Sequence, residues 1–303
     1  MQQMPSTSRW QGMILLILTT VLWGSTFPIV KEAVLSVAPL EFLTWRFGLA
    51  AILLLPFLRG GWQALWPGFL VGLANAAGFW LQTMALRRIS ADDVAFLTGL
   101  SVIFVPVLEA FWLRRMPSVW ARWALALAVS GLALVTTGGS LTRIRASGGD
   151  LLGALCAVAF TVQVLGTSRL AAGTTHLGLA AQEIVAGAVV FVLASAFFHP
   201  LWLRLPPVGV WWAIAFAAGP STVLTFFLQT AGQARVSATT AALTFNLEPV
   251  FAAVWAFILT GQILAGWSVV GALMVLAGMV LAALPAAEGP CRKQGIVKAV
   301  NAG

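Results

Sequence analysis

Apolar stretches of about 20 residues recur along the chain, separated by short polar punctuation, and each is long enough to cross a hydrocarbon core of about 30 Å. The pattern predicts helices at roughly 11–30, 39–58, 67–86, 93–113, 118–136, 150–169, 177–198, 208–232, 236–259 and 263–284. Ten spans return the chain to its starting side.

Two phrases lie at corresponding places in the halves. Residues 79–90 read FWLQTMALRRIS and residues 226–237 read FFLQTAGQARVS, with six of twelve positions identical at a constant offset of 147. The offset continues without a gap, pairing Ser90 with Ser237, Trp120 with Trp267 and Gly131 with Gly278. Spans 3–5 therefore match spans 8–10. Because an odd number of spans separates the copies, the second enters the membrane from the opposite side, which is the inverted repeat of many secondary transporters. Spans 1 and 2 match 6 and 7 only weakly, the main echo being Trp23 and Lys31 against Phe160 and Arg169. The expected fold is an all-α integral membrane protein, with ten transmembrane helices as two inverted five-helix repeats around a central cavity. Its parts are 1–136, a linker at 137–149, 150–284, and a polar, basic tail at 285–303.

Composition narrows the class. The chain is 60% hydrophobic and 9% charged with mean hydropathy +0.96, against about 25% charged residues in soluble domains. The net charge of +8 is spread singly or in pairs between apolar runs, so it orients the chain and provides no nucleic-acid surface. With the N-terminus in the cytoplasm, ten loop or terminal Lys and Arg residues fall inside and six outside, predicting both termini in the cytoplasm of a cell (inner) membrane. Eleven of the 14 tryptophans lie near span ends, as an interfacial belt does. Trp23, Trp45 and Trp80 lie deeper. The apolar run after Arg9 is too long for a signal peptide and is read as a mature helix.

The polar residues inside spans carry the candidate chemistry, because their placement is costly. Asn75, Phe79 and Gln82 fall at i, i+4 and i+7 on one helix face, and their repeat partners are Thr222, Phe226 and Gln229. Such groups hold a solute or simply join helices. Glu248, in FNLEPV near the middle of the ninth span, is a candidate for proton coupling or for structure. Glu109 and Glu183 also fall within spans. Arg46 requires a carboxylate or carbonyl partner and reads first as a clamp. Pro28, Pro106, Pro220 and Pro249 mark hinges or static kinks. Two cysteines and two histidines supply no metal site, no disulfide framework and no catalytic set, and no GxxxxGK[ST] motif binds nucleotide. No cofactor is expected. A lipid-modifying enzyme and a channel or scaffold are the competing classes.

The motifs WGSTFPIVK, PLEFLTWRFGLA, LQT…RVSATTAAL and LEPVFAAVWA, with the five-plus-five repeat, resemble the EamA-type branch of the drug/metabolite transporter superfamily. The resemblance covers nearly the whole chain and is closest to the amino-acid exporters, including the aromatic-amino-acid type. It implies a cavity lined by spans 1–4 and 6–9, with spans 5 and 10 peripheral. On that basis the candidate lining is Trp23, Asn75, Phe79, Gln82, Thr98, Ser101, Gln163, Phe226 and Gln229. Gly261-Gln262 stands where family members often carry Gly-Glu. The implied protein exports amino acids by alternating access among membrane lipids, with a monomer sufficient and a homodimer compatible. Drug-like cations or other metabolites are the alternative substrates.

Overall fold

A computed structural model describes residues 6–58, 62–113, 119–137, 147–198, 205–261 and 266–283. Most of the linker, the tail, Arg59, Arg114, Arg115, His199, Trp202, Arg204 and Gln262 lie outside the described residues. Eight helical stretches of 19–29 residues are long and apolar enough to cross a membrane, and shorter apolar helices lie at Arg122–Leu134 and Gly266–Leu281. Helix suits this sequence because every backbone N–H and C=O in lipid must be paired within the protein.

The first repeat comprises α1 (Ser6–Ser36), α2 (Pro39–Leu54), α3 (Trp62–Leu86), the pair α4 (Ala91–Gly99) and α5 (Ser101–Leu113), and α6 (Val119–Thr137). The second comprises α7 (Gly148–Leu170), α8 (His176–Phe198), α9 (Trp211–Ala218) joined to α10 (Thr225–Gln233), the pair α11 (Ala238–Phe245) and α12 (Glu248–Thr260), and α13 (Gly266–Ala283). Three spans expected to be continuous are interrupted. The fourth breaks at Leu100 and the ninth at Asn246-Leu247, positions related by the repeat offset. The eighth carries a π-helical segment, Gly219–Leu224, where the first repeat stays α-helical. Pro220 removes one backbone donor there, and the wider turn absorbs it.

The repeat is visible in individual contacts. Ser90 and Ser237 cap α4 and α11, their hydroxyls accepting from Asp93 N and Thr240 N at 3.1 Å in both cases. The first span of each half lies against the other half: α1 against α10, α11 and α12, and α7 against α3, α4 and α5. The fifth and tenth spans, α6 and α13, pack on each other at the periphery through Gly131 and Gly278. A Cβ on Gly131 would stand 2.5 Å from Gly271 O, and one on Gly278 2.8 Å from Ala124 O, residues themselves paired by the offset. Small residues permit this backbone approach, which supplies packing that lipid cannot.

Two apolar clusters lie on either side of the molecule's middle. One joins Phe27, Val94, Ala95 and Ala252 with neighbours on α1, α2, α3 and α9. The other joins Val164, Ala241, Ala242 and Val105 with Leu16 and Phe245. Val94, Ala95 and Ala252 pair with Ala241, Ala242 and Val105 at the offset of 147, and Phe27 pairs with Val164 at the offset of 137 that also relates Trp23 to Phe160. The clusters are therefore two forms of one apolar plug. Along α1 the order is Leu16, then Trp23 and Thr26, then Phe27 to Val37. A cavity therefore lies between the plugs.

Candidate functional site

The cavity is lined by Trp23 and Thr26 from α1, Asn75, Phe79 and Gln82 from α3, Thr98 from α4 and Ser101 from α5. The second half contributes Phe160, Gln163 and Val164 from α7, Phe226 from α10, Phe245 from α11 and Glu248 from α12. Its volume is about 40 Å³, room for a few water molecules.

Its centre is aromatic. Phe79 and Phe226 have ring centroids 6.3 Å apart, Phe160 stands edge-on to Phe79 at 5.4 Å, and Trp23 stands edge-on to Phe226 at 6.0 Å. The chain Phe160–Phe79–Phe226–Trp23 is symmetric about its midpoint. Trp23 is oriented by donating Nε1–H to Thr225 Oγ1 at 3.0 Å and Ser221 O at 3.3 Å.

The polar wall differs between the halves. Gln82 donates to Thr98 Oγ1 at 3.2 Å, and Thr98 also contacts Cys156 Sγ at 3.3 Å. Its counterpart Gln229 instead donates to Gln163 Oε1 at 3.2 Å. Gln163 in turn donates to Glu183 Oε2 at 2.7 Å, and Thr167 donates to Glu183 Oε1 at 2.7 Å. Asn75 is fully buried with neither amide atom hydrogen-bonded, an arrangement that costs free energy unless water or a ligand completes it. Glu248 is not mid-helix: the break makes it the first residue of α12, half-buried, where the helix dipole favours a carboxylate.

Of the residues singled out from sequence, Trp23, Asn75, Phe79, Gln82, Thr98, Ser101, Gln163, Phe226 and Glu248 converge on this cavity, whereas Gln229 and Arg46 stand behind it. Spans 2 and 7 contribute no lining residue, because Phe79 and Gln163 stand in front of Arg46 and Glu183. Thr26, Phe160, Val164 and Phe245 went unpredicted. The repeat itself contained the signal for three of them: Phe160 is the counterpart of Trp23, Thr26 of Gln163, and Phe245 of Thr98. Among the deep tryptophans, Trp45 packs against Trp211 at 5.0 Å and Trp80 against the apolar core around Phe47 and Phe191. No group of acidic, His and Cys side chains able to hold a metal occurs among the described residues.

The profile of the EamA-like transporter family matches the chain twice, at residues 10–137 and 147–284, once over each half. This chain belongs to the EamA-like transporter family. It is a transporter and a multi-pass membrane protein. An uncharacterized transporter of Archaeoglobus fulgidus is 29% identical over 274 residues, covering 89% of this chain and 84% of its own. The uncharacterized transporter YyaM of Bacillus subtilis is 30% identical over 285 residues, covering 89% and 92%. A solved crystal structure with 17% sequence identity superposes with a TM-score of 0.71 over 88% of this EamA-like chain and 95% of its own length, a likeness of fold alone.

Proposed function

We propose that this EamA-like transporter exports small amphipathic metabolites, foremost amino acids, across the cell's inner membrane by alternating access, with both termini in the cytoplasm. The observation that carries this reading is the cavity between two repeat-related apolar plugs: whichever plug opens, the same aromatic and amide wall faces the solution. Related plugs are suited to open in turn around the one site, as inverted repeats do. The aromatic quartet matches an apolar side chain, and the amides of Asn75, Gln82 and Gln163 match a hydrogen-bonding head group. Helix α5 begins at the cavity with Ser101 and has no acidic residue in its first turn, so its positive dipole end favours a carboxylate. A second reading, export of organic cations, is supported by Glu248, the one carboxylate on the wall among the described residues.

Purified protein in liposomes loaded with mixed amino acids, followed by exchange with labelled external ones, tests both readings. Saturable exchange of amino acids is expected. Exchange of lipophilic cations, with none of amino acids, would replace the first reading by the second.

A further inference from the structure

The first two spans of each half, weakly matched in sequence, obey an offset of 137 in space. A Cβ on Gly12 would meet Arg235 and Val236, and one on Gly149 would meet Arg88 and Ile89. Those neighbours are themselves related by the offset of 147. Trp23 and Phe160 follow the same offset, and so do Pro39 and His176, the first residues of α2 and α8. Extended to the middle of those helices, it pairs Arg46 with Glu183. Two equivalent positions of an inverted repeat thus carry opposite charges.

Neither residue meets an opposite charge among the described residues. Arg46 is 2% exposed and Glu183 0%. Arg46 donates Nε–H to Thr222 Oγ1 at 3.0 Å and Nη2–H to Ser221 O and Oγ at 3.4 Å. Among the described residues Glu183 accepts from neutral Gln163 and Thr167 alone. Among the described residues neither has an ion-pair partner, and Nη1 of Arg46 donates to no protein atom. Burying an ionisable group without an ion partner is a costly placement, and here it is made twice, in register.

Each charge lies one side chain from the cavity. The Arg46 guanidinium carbon stands 4.5 Å from the centroid of Phe79, a wall residue, and Glu183 holds the amide of Gln163, another wall residue. In a water-poor interior, charges act across the thickness of a ring or an amide. Asn75, from the same helix as Phe79, adds an amide with two unsatisfied atoms to the wall.

We propose that Arg46 and Glu183 are the charge-reading pair of the transport site, and that they select a zwitterion, whose carboxylate lies toward Arg46 and whose ammonium lies toward Glu183. The inference rests on the amino-acid reading above and narrows it. A zwitterion offers an opposite charge to both buried groups at once, whereas an amine or an acid leaves one of them without. Glu248, on the wall itself, is the same in every variant of the test below, so differences between R46Q and E183Q report on the pair. Buried polar sites reject analogues that leave a group unmatched far more strongly than apolar pockets reject a missing methylene.

The test is competition in liposomes exchanging labelled phenylalanine, with three unlabelled probes of similar shape: phenylalanine, phenylalaninamide and 3-phenylpropionate. In the wild-type protein, phenylalanine is expected to compete at least tenfold better than either analogue. In R46Q the amide should approach phenylalanine to within about twofold while the acid stays excluded, and E183Q should show the reverse. R46K, which keeps the charge, should keep the order of the wild type. The wild-type series needs no variant to fold. If phenylalanine exchanges while both analogues compete equally well, the pairing is overturned and the amino-acid reading stands. If no amino acid exchanges but amines or acids do, reading and pairing fall together.

Discussion

The rings of Phe79 and Phe226, identical residues at identical repeat positions, lie 6.3 Å apart with their planes inclined at 37°. An inverted repeat places equivalent residues on opposite sides of a pseudo-two-fold axis in the membrane plane. This pair therefore touches across the axis itself, at the one place where a single substrate can meet the same residue from both halves.

Replacing Phe79 or Phe226 by Leu removes about 1 kcal/mol of aromatic contact from the wall. The half-saturating concentration of aromatic substrates should rise roughly five- to tenfold in each variant. That of small amino acids should move less. Concentration series of labelled phenylalanine and alanine in liposomes measure this, and unchanged preference in both variants would remove the rings from the site.

Asn75 has no hydrogen-bond partner to lose. Asn75→Ala should therefore leave the melting temperature in detergent unchanged or slightly raised while transport affinity falls. An amide joining helices would behave oppositely, costing about 1–3 kcal/mol of stability when removed. A thermal melt beside a transport assay separates the two.

Glu248 faces the cavity from the start of α12 and makes no ion pair among the described residues. If it carries the coupling proton, Glu248→Gln should keep amino-acid exchange at equal pH and lose the acceleration produced by an imposed pH difference. Normal response to the gradient in this variant would exclude coupling through Glu248.

Gly131→Val and Gly278→Val should each destabilise the protein by about 1–3 kcal/mol, because the new side chain meets a backbone carbonyl that cannot move aside. The two should be similar in size, and neither touches the cavity. Thermal melts of both variants, with residual exchange per folded molecule, check this.

Much of the architecture is a linear property of the chain. Hydropathy sets the spans because lipid demands paired backbone over a fixed thickness, and the offset of 147 sets the inverted halves because orientation follows from counting spans. The face of Asn75, Phe79 and Gln82 was legible for the same reason, since helical periodicity fixes which residues point together. The ninth-span break at Asn246-Leu247 was marked in part by Pro249, which stands in the first turn of α12, whereas the equivalent break at Leu100 has no proline beside it and was not legible. The two breaks turn Ser101 and Glu248 from mid-span residues into the first residues of α5 and α12 at the cavity.

Only the tertiary structure decided how equivalent residues diverged. Gln82 and Gln229 are the same residue at the same repeat position, yet one lines the cavity and the other is drawn behind it. Gln229 meets the long amide of Gln163, whereas the counterpart of Gln163 is the shorter Thr26, and Gln82 bonds Thr98 instead. Arg46 and Glu183 are likewise equivalent positions whose relation is nearly absent from the sequence, where the surrounding helices have drifted apart. Sequence spacing carries which side chains share a helix; which partner a buried polar group finds depends on the side-chain lengths facing it across another helix.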